Sequence, residues 1–184
     1  ALGLVDSAGE TATLAASLES NGGVYLVPAF TGLGAPYWNP LARGTLLGMT
    51  RATGPAHIAR AALEAVCYQS VELLEAMSED VGEETTMLRI DGGMARNDWL
   101  AQYLADITRT TVERPALLET TALGAARLAG LQAGVFNALA DLQKAWVADQ
   151  TFIPTMDESE RQSRLRTWRR AVESALTFAA DTRT

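Results

Sequence analysis

The sequence is short of the residues from which most catalytic and metal sites are built. It has one cysteine (Cys67), one histidine (His57) and one lysine (Lys144) among 184 residues. A lone cysteine forms no internal disulfide. A lone histidine leaves little from which to assemble a nucleophile and its base, no GxSxG elbow is present, and metal ligation finds no support. The GxxxxGK[ST] phosphate loop is absent and Lys144 lies far from any glycine loop, which excludes a Walker-type nucleotidase. No apolar run approaches the roughly 20 residues that cross a bilayer, so no membrane role is expected. The opening, ALGLVDSAGETATLAA, has no secretory pattern, and a cytoplasmic setting is expected by default. Positive charge is also lacking. Lys plus Arg number 15 against 22 Asp plus Glu, a net charge of −7, and such a balance argues against nucleic acid as a partner.

What is present suits a globular chain. The hydrophobic fraction of 48 % excludes disorder and fibrous classes. A domain of this length buries about 70 % of its unfolded surface, so a single domain over 1–184 is expected. The missing start methionine, and an opening that reads like the middle of a helical hairpin, create the expectation that the numbering begins inside a longer protein.

Periodicity and punctuation divide the chain. Ser7 and Glu10 have capping-box spacing and predict a helix to about Leu18. VYLVP at 24–28 reads as a strand closed by Pro28. The loop AFTGLGAPYWNPLARG, with Phe30, Tyr37 and Trp38, is expected to fold over its own aromatics, and Thr45 to Met49 reads as a second strand. Pro55 to about Val81 reads as a long helix with Ile58, Ala61, Ala62, Ala65, Val66, Leu73, Leu74 and Met77 on one face. Pro55 suits its first turn and Gly82 its exit. Met87 to Ile90 is a strand, and Trp99, Leu100, Tyr103, Leu104 and Ile107 form one face of the next helix. Thr111 to Glu113 is a strand closed by Pro115. Thr120 or Thr121 can cap a helix of mostly small residues, whose mid-helix glycines imply close packing against a neighbour. Thr155 and Glu158 give a second capping box, opening a helix with Leu165, Trp168, Val172, Ala175, Leu176 and Ala179 on one face. The alternation predicts an α/β fold with helices flanking a mixed sheet.

The most informative local pattern is IDGGMARND, a strand running into two glycines and a helix start. Such a turn lets the main chain approach a flat or phosphorylated ligand without Cβ interference, with helix N-terminal donors nearby. It is equally compatible with a tight structural turn capped by Asn97 or Asp98. His57 reads as a first-turn helix residue and Cys67 as a small core residue. The five arginines from Arg161 to Arg170 interleave with acidic residues and read as a solvated helix face.

Three stretches together resemble the carboxy-terminal domain of the FGGY carbohydrate kinases. VPAFTGLGAPYWNPLARG resembles the aromatic loop of the glycerol-directed members, where relatives acting on xylulose or other sugars usually differ. Gly44 to Glu64 fits the family's second signature pattern. IDGGMARNDWLAQYLADITRTTVERP with ETTALGAARLAG resembles the adenosine-side motif and the small-residue helix behind it.

The resemblance implies a two-domain, ATP-dependent kinase with a ribonuclease H-like core in each half, as in the actin and hexokinase superfamily. This chain would be the second, nucleotide-side half. It implies that Gly93 and Asn97 contact ATP or ADP, with Gly92 as their neighbour. Mg²⁺ would arrive with the nucleotide, and no ligand for it is identifiable here. In the family, the polyol and the catalytic Asp base belong to the amino-terminal half. No catalytic residue is therefore expected in this chain, which would supply one wall of the cleft and be inactive alone. The implied reaction moves the γ-phosphoryl group of ATP to a terminal hydroxyl of glycerol, giving glycerol 3-phosphate. The alternatives are a kinase for another polyol or sugar such as xylulose, and a non-catalytic module for nucleotide sensing or subunit contact. Homo-oligomerisation of the full-length enzyme stays open.

Overall fold

The computed structural model describes residues 3–144 and 147–181, apart from the side chains of Gln143, Lys144 and Asp181. The Lys144 side chain, remote from any glycine loop in sequence, thus lies outside the described residues. The elements run α1 (Glu10–Ala16), β1 (Tyr25–Val27), β2 (Thr45–Leu47), α2 (Pro55–Val81), β3 (Met87–Arg89), a 3-10 turn (Gly93–Arg96), α3 (Asp98–Thr108), β4 (Thr111–Pro115), α4 (Thr120–Gln132), α5 (Leu139–Lys144), β5 (Ala148–Phe152) and α6 (Glu158–Asp181). The α/β expectation holds. β3 and β4 pair in parallel and β4 and β5 antiparallel, so one sheet is mixed, in the order β3-β4-β5. β1 and β2 form a separate antiparallel pair.

Helix α2 starts and stops where its punctuation places it. Pro55 opens it, where no amide donor is needed, and Gly82 closes it at φ 76°, a left-handed exit that favours glycine. The Gly54 N–H donates to His57 Nδ1 at 3.1 Å, so the histidine is the first-turn residue expected.

The buried face of α2 overlaps only in part the one its apolar spacing predicts, which keeps Ala61 and Ala65 inside. Val66, Leu73 and Met77 are exposed, whereas Arg60, Glu64 and Glu72 are buried beside Leu63, Cys67, Tyr68 and Val71. The helix is apolar on most of its circumference, and ion pairs and aromatic hydrogen bonds decide which side turns inward. Tyr68 stacks on Trp168 of α6 at 5.2 Å and on Tyr25 of β1 at 5.9 Å, and meets Tyr103 of α3 edge-on at 6.1 Å. A smaller cluster of Ala101, Ala105, Val112 and Phe152 joins α3 to the sheet.

Several local expectations change. Helix α1 begins at Glu10 rather than at a Ser7 cap, and the Glu10 carboxylate instead accepts from the Asp6 N–H and the Ser7 hydroxyl. Thr155 does not cap α6. Its N–H and hydroxyl both donate to buried Asp106, while Asp157 takes the capping place by accepting from the Ser159 N–H. Helix α4 has no side-chain cap. It also has no buried residue, and a Cβ added at Gly124 would meet nothing, but one added at Gly130 would lie 2.8 Å from the Phe136 ring, so the expected close approach forms at the second glycine and not at the first. Alanine and glycine present little apolar area to bury, and α4 instead borders an open cleft. In the aromatic loop Phe30 lies across Gly44 at the loop's other end, as expected of a loop folded on its own aromatics, but its outer face and Trp38 are exposed, and Tyr37 turns inward to donate to Glu72. The α6 arginines are not simply solvated. Arg161 donates to Ile107 O, Arg164 lies over Tyr103, and Arg169 pairs with Glu75, so all three tie α6 to its neighbours.

Candidate nucleotide site

The turn after β3 is fixed from several sides. Ile90 N–H bonds to Glu113 O on β4, and Gly92 N–H bonds to Leu118 O beyond β4, each at 3.0 Å. Gly92 has φ 79° and ψ −174°, a combination essentially confined to glycine. Arg114 of β4 braces the turn from below, donating to Ala95 O at 2.7 Å and to Asp98 Oδ1 at 2.6 Å. The same guanidinium bonds Gln150 on β5 and lies over the Phe152 ring.

The two glycines do different work. Gly92 is required by its backbone conformation. Gly93 lies outside the left-handed region, and a Cβ built on it would meet no atom within 4 Å. Nothing in the folded chain demands glycine there, so the open approach to its main chain is the feature left to explain. Asn97 satisfies the structural reading, as the N-cap of α3 whose Oδ1 accepts from Leu100 N–H at 3.0 Å. That bond leaves the Nδ2 hydrogens as the donors its side chain can offer a ligand.

Gly93 and Asn97 line one cavity, about 460 Å³ in volume. Met94 and Leu100 extend this wall. The facing wall is Ala8, Gly9, Thr11 and Ala12, at the start of α1, with Leu63 of α2 between. Small residues on the α1 wall, and Gly93 between the larger Met94, Arg96 and Leu100 on the other, leave a mainly apolar slot with backbone close to its surface at both walls, suited to a flat heterocycle. Gly92 is not among the lining residues. A second cleft, about 450 Å³, lies where Asp91 and Pro115 face Thr120 and Gly124 of α4. It contains neither Gly93 nor Asn97, so the first cavity is the candidate site.

Behind the cavity is a buried polar network. Glu64 accepts from Asn21 Nδ2 and Arg60 Nε, both at 2.8 Å, and from the Tyr68 hydroxyl at 3.2 Å. Tyr68 and Tyr103 share a hydroxyl contact of 2.7 Å, and burial pushes both phenols well above their ordinary range. Burial likewise raises the Cys67 thiol, which is fully enclosed, so it is an inert core residue and not a thiolate nucleophile. Among the described residues no three His, Cys, Asp or Glu side chains cluster as metal ligands.

The structure thus brings Gly93 and Asn97 together and sets Gly92 behind them. Sequence reading missed the facing wall and the Arg114 brace. The small residues Ala8, Gly9 and Ala12 were a faint signal for the wall. Arg114 carried none, since its bonds to the turn span 16 and 19 residues.

The profile of the FGGY family of carbohydrate kinases, C-terminal domain, matches residues 2–133. A glycerol kinase of Dechloromonas aromatica (strain RCB) is 56 % identical over 178 residues, covering 97 % of this chain and 36 % of that protein. One from Rhodospirillum centenum is 54 % identical over 98 % of this chain and 36 % of its own length. Among solved structures, Plasmodium falciparum glycerol kinase with ADP superposes with a TM-score of 0.84 at 37 % identity, over 94 % of this chain and 35 % of that one. A xylulose kinase from Lactobacillus acidophilus shares the fold, with a TM-score of 0.75 at 21 % identity over 97 % of this chain and 36 % of its own. The chain spans about a third of the length of the curated relatives it matches.

Proposed function

Because the chain belongs to the FGGY family of carbohydrate kinases, through that family's C-terminal domain, we propose that it forms the nucleotide side of an ATP-dependent glycerol kinase. Its mixed sheet and flanking helices are the ribonuclease H-like arrangement of the actin and hexokinase superfamily. The observation that carries the reading is the cavity shared by Gly93 and Asn97. Adenosine lies against the Gly93 main chain, and Asn97 Nδ2 donates to the base or ribose. ATP and ADP are the ligands of this chain, and Mg²⁺ travels on their phosphates. Glycerol is held mainly by the remainder of the protein, as is the base that accepts its hydroxyl proton, and the setting is cytoplasmic.

Phosphoryl transfer needs a positioned hydroxyl, a base and neutralisation of charge at the transferred group. One wall of a cleft supplies none of these in full, so the chain's share is binding and orientation of the nucleotide. The test is a coupled ADP-release assay on the full-length protein, with glycerol and xylulose as competing acceptors. We expect glycerol to be favoured by about a hundred-fold or more in kcat/KM, the least discrimination that an added hydroxyl commonly brings. Equal or better turnover of xylulose refutes the substrate assignment.

A further inference from the structure

Helix α1, which forms the wall facing Gly93 and Asn97, has only seven residues and no side-chain bond at its N-cap. A helix this short does not hold its place by its own hydrogen bonds. Its C-terminal end is gripped from outside. Arg60 Nη1, on α2, donates to Ala15 O at 3.1 Å and also to Leu18 O, taking two carbonyls at the end of α1. A cation at this end also matches the helix dipole.

The same guanidinium reaches toward the opposite wall. Its carbon lies 5.1 Å from the centre of the Trp99 ring, two residues beyond Asn97 on α3. Glu64 orients it through Arg60 Nε, and Glu64 is itself fixed by Asn21, Tyr68 and, at 3.6 Å, Arg164. Arg60 therefore contacts both elements whose separation sets the width of the cavity, yet it is not among the cavity's lining residues.

We propose that Arg60, held by Glu64, is a positioning residue for nucleotide binding that fixes the spacing between α1 and the start of α3. This rests on the nucleotide reading of the Gly93 and Asn97 cavity. A buried arginine–glutamate pair is weak evidence for stability, since an apolar pair of similar volume often serves the fold equally well. The shape of the interactions, two helix-end carbonyls on one side and an aromatic ring beside the N-cap on the other, points to spacing.

The test uses the full-length kinase with Arg60→Lys, the double variant Arg60→Met/Glu64→Gln, and Asn97→Asp. Lysine keeps the charge but loses the forked reach. The double variant removes both charges, so no carboxylate is left buried and unpaired. Asn97→Asp keeps the helix cap and removes the amide donor. KM for ATP is expected to rise about three-fold or more in Arg60→Lys and roughly ten-fold or more in the double variant, with KM for glycerol within about two-fold. Amide exchange over residues 10–18 should accelerate more than that of α6, and ATP should restore part of the protection. Unchanged KM for ATP in both Arg60 variants, or an equal rise in both KM values, overturns the proposal. If the double variant does not fold, Arg60→Lys decides by the same criteria. Asn97→Asp reports on the underlying reading. If it raises KM for ATP while the Arg60 variants do not, the positioning role alone fails. If neither Asn97→Asp nor the Arg60 variants move it, both fail. A selective ATP effect from Arg60 with none from Asn97 upholds the spacing role and removes only the amide contact.

Discussion

Replacing each glycine of the pair by alanine separates backbone need from ligand need. At Gly92 the backbone sits at φ 79° and ψ −174°, where a Cβ costs about 1–3 kcal/mol of strain. At Gly93 the backbone is not left-handed and an added Cβ meets nothing within 4 Å. There alanine reduces the freedom of the unfolded chain and is expected to be neutral or to stabilise by about 0.4–1 kcal/mol. Binding should show the opposite order. The Gly93 methyl would protrude into the cavity where adenosine is proposed to lie, and overfilling a fitted site by one methyl typically costs about 1–3 kcal/mol, roughly 5- to 150-fold in affinity at 25 °C. The assay measures the thermal midpoint, the Kd for ADP and KM for ATP on full-length Gly92→Ala and Gly93→Ala. The reasoning requires Gly93→Ala to be as stable as wild type and weak for nucleotide, and Gly92→Ala to lose stability first. A Gly93→Ala enzyme with unaltered ADP affinity would refute the placement of the base against that turn.

Glu72 provides a pH test. Burial holds its carboxyl above the ordinary value of 4.5, and hydrogen bonds from Tyr37 and Trp168 pull it only part of the way back. The folded state therefore binds this proton more tightly than the unfolded state. The resulting stabilisation is full below pH 4.5 and is lost as pH rises through the folded value. Glu72→Gln should flatten the fall in thermal midpoint above pH 4.5 relative to wild type, and parallel pH profiles would contradict this. The isolated 184-residue chain should show nucleotide-dependent amide shifts at Gly93 and Asn97 but no ADP release with glycerol and ATP. Turnover near that of the intact enzyme would place the catalytic base in this chain.

The elements legible in the sequence are those whose causes are local. Helix α2 is bounded by Pro55 and Gly82 because both residues act through their own backbone geometry. The face of α3 is legible because Leu100, Tyr103 and Ile107 are buried in one cluster at helical spacing. Errors arise where the decisive partner is far along the chain. Charged residues such as Arg60 and Glu64 carry no local sign of burial, but Arg60 reaches carbonyls 45 and 42 residues away and Glu64 accepts from an amide 43 residues away. Thr155 has capping-box spacing with Glu158, yet Asp106, 49 residues away, takes its hydroxyl. Strand β5 was not singled out, and its place follows from pairing with β4, which local sequence does not encode.

The candidate site divides along the same line. Its Gly93 and Asn97 side is one continuous motif, strand, turn and cap, and could be read directly. Its other side is a run of small residues on a short helix, which carries chemical meaning only once Arg60 has set it opposite the turn. This division follows from how a slot for a flat ligand is made. Beside Leu63, Met94 and Leu100, much of its surface is backbone and small side chains, which mark a sequence weakly. The groups that hold such walls apart must be large, charged and set back from the ligand, as Arg60 and Glu64 are on α2 and Arg114 is beneath the turn. The strongest determinants of the cavity's shape are therefore residues that do not line it, and mutations in that supporting layer should alter nucleotide affinity without removing any contact to the nucleotide.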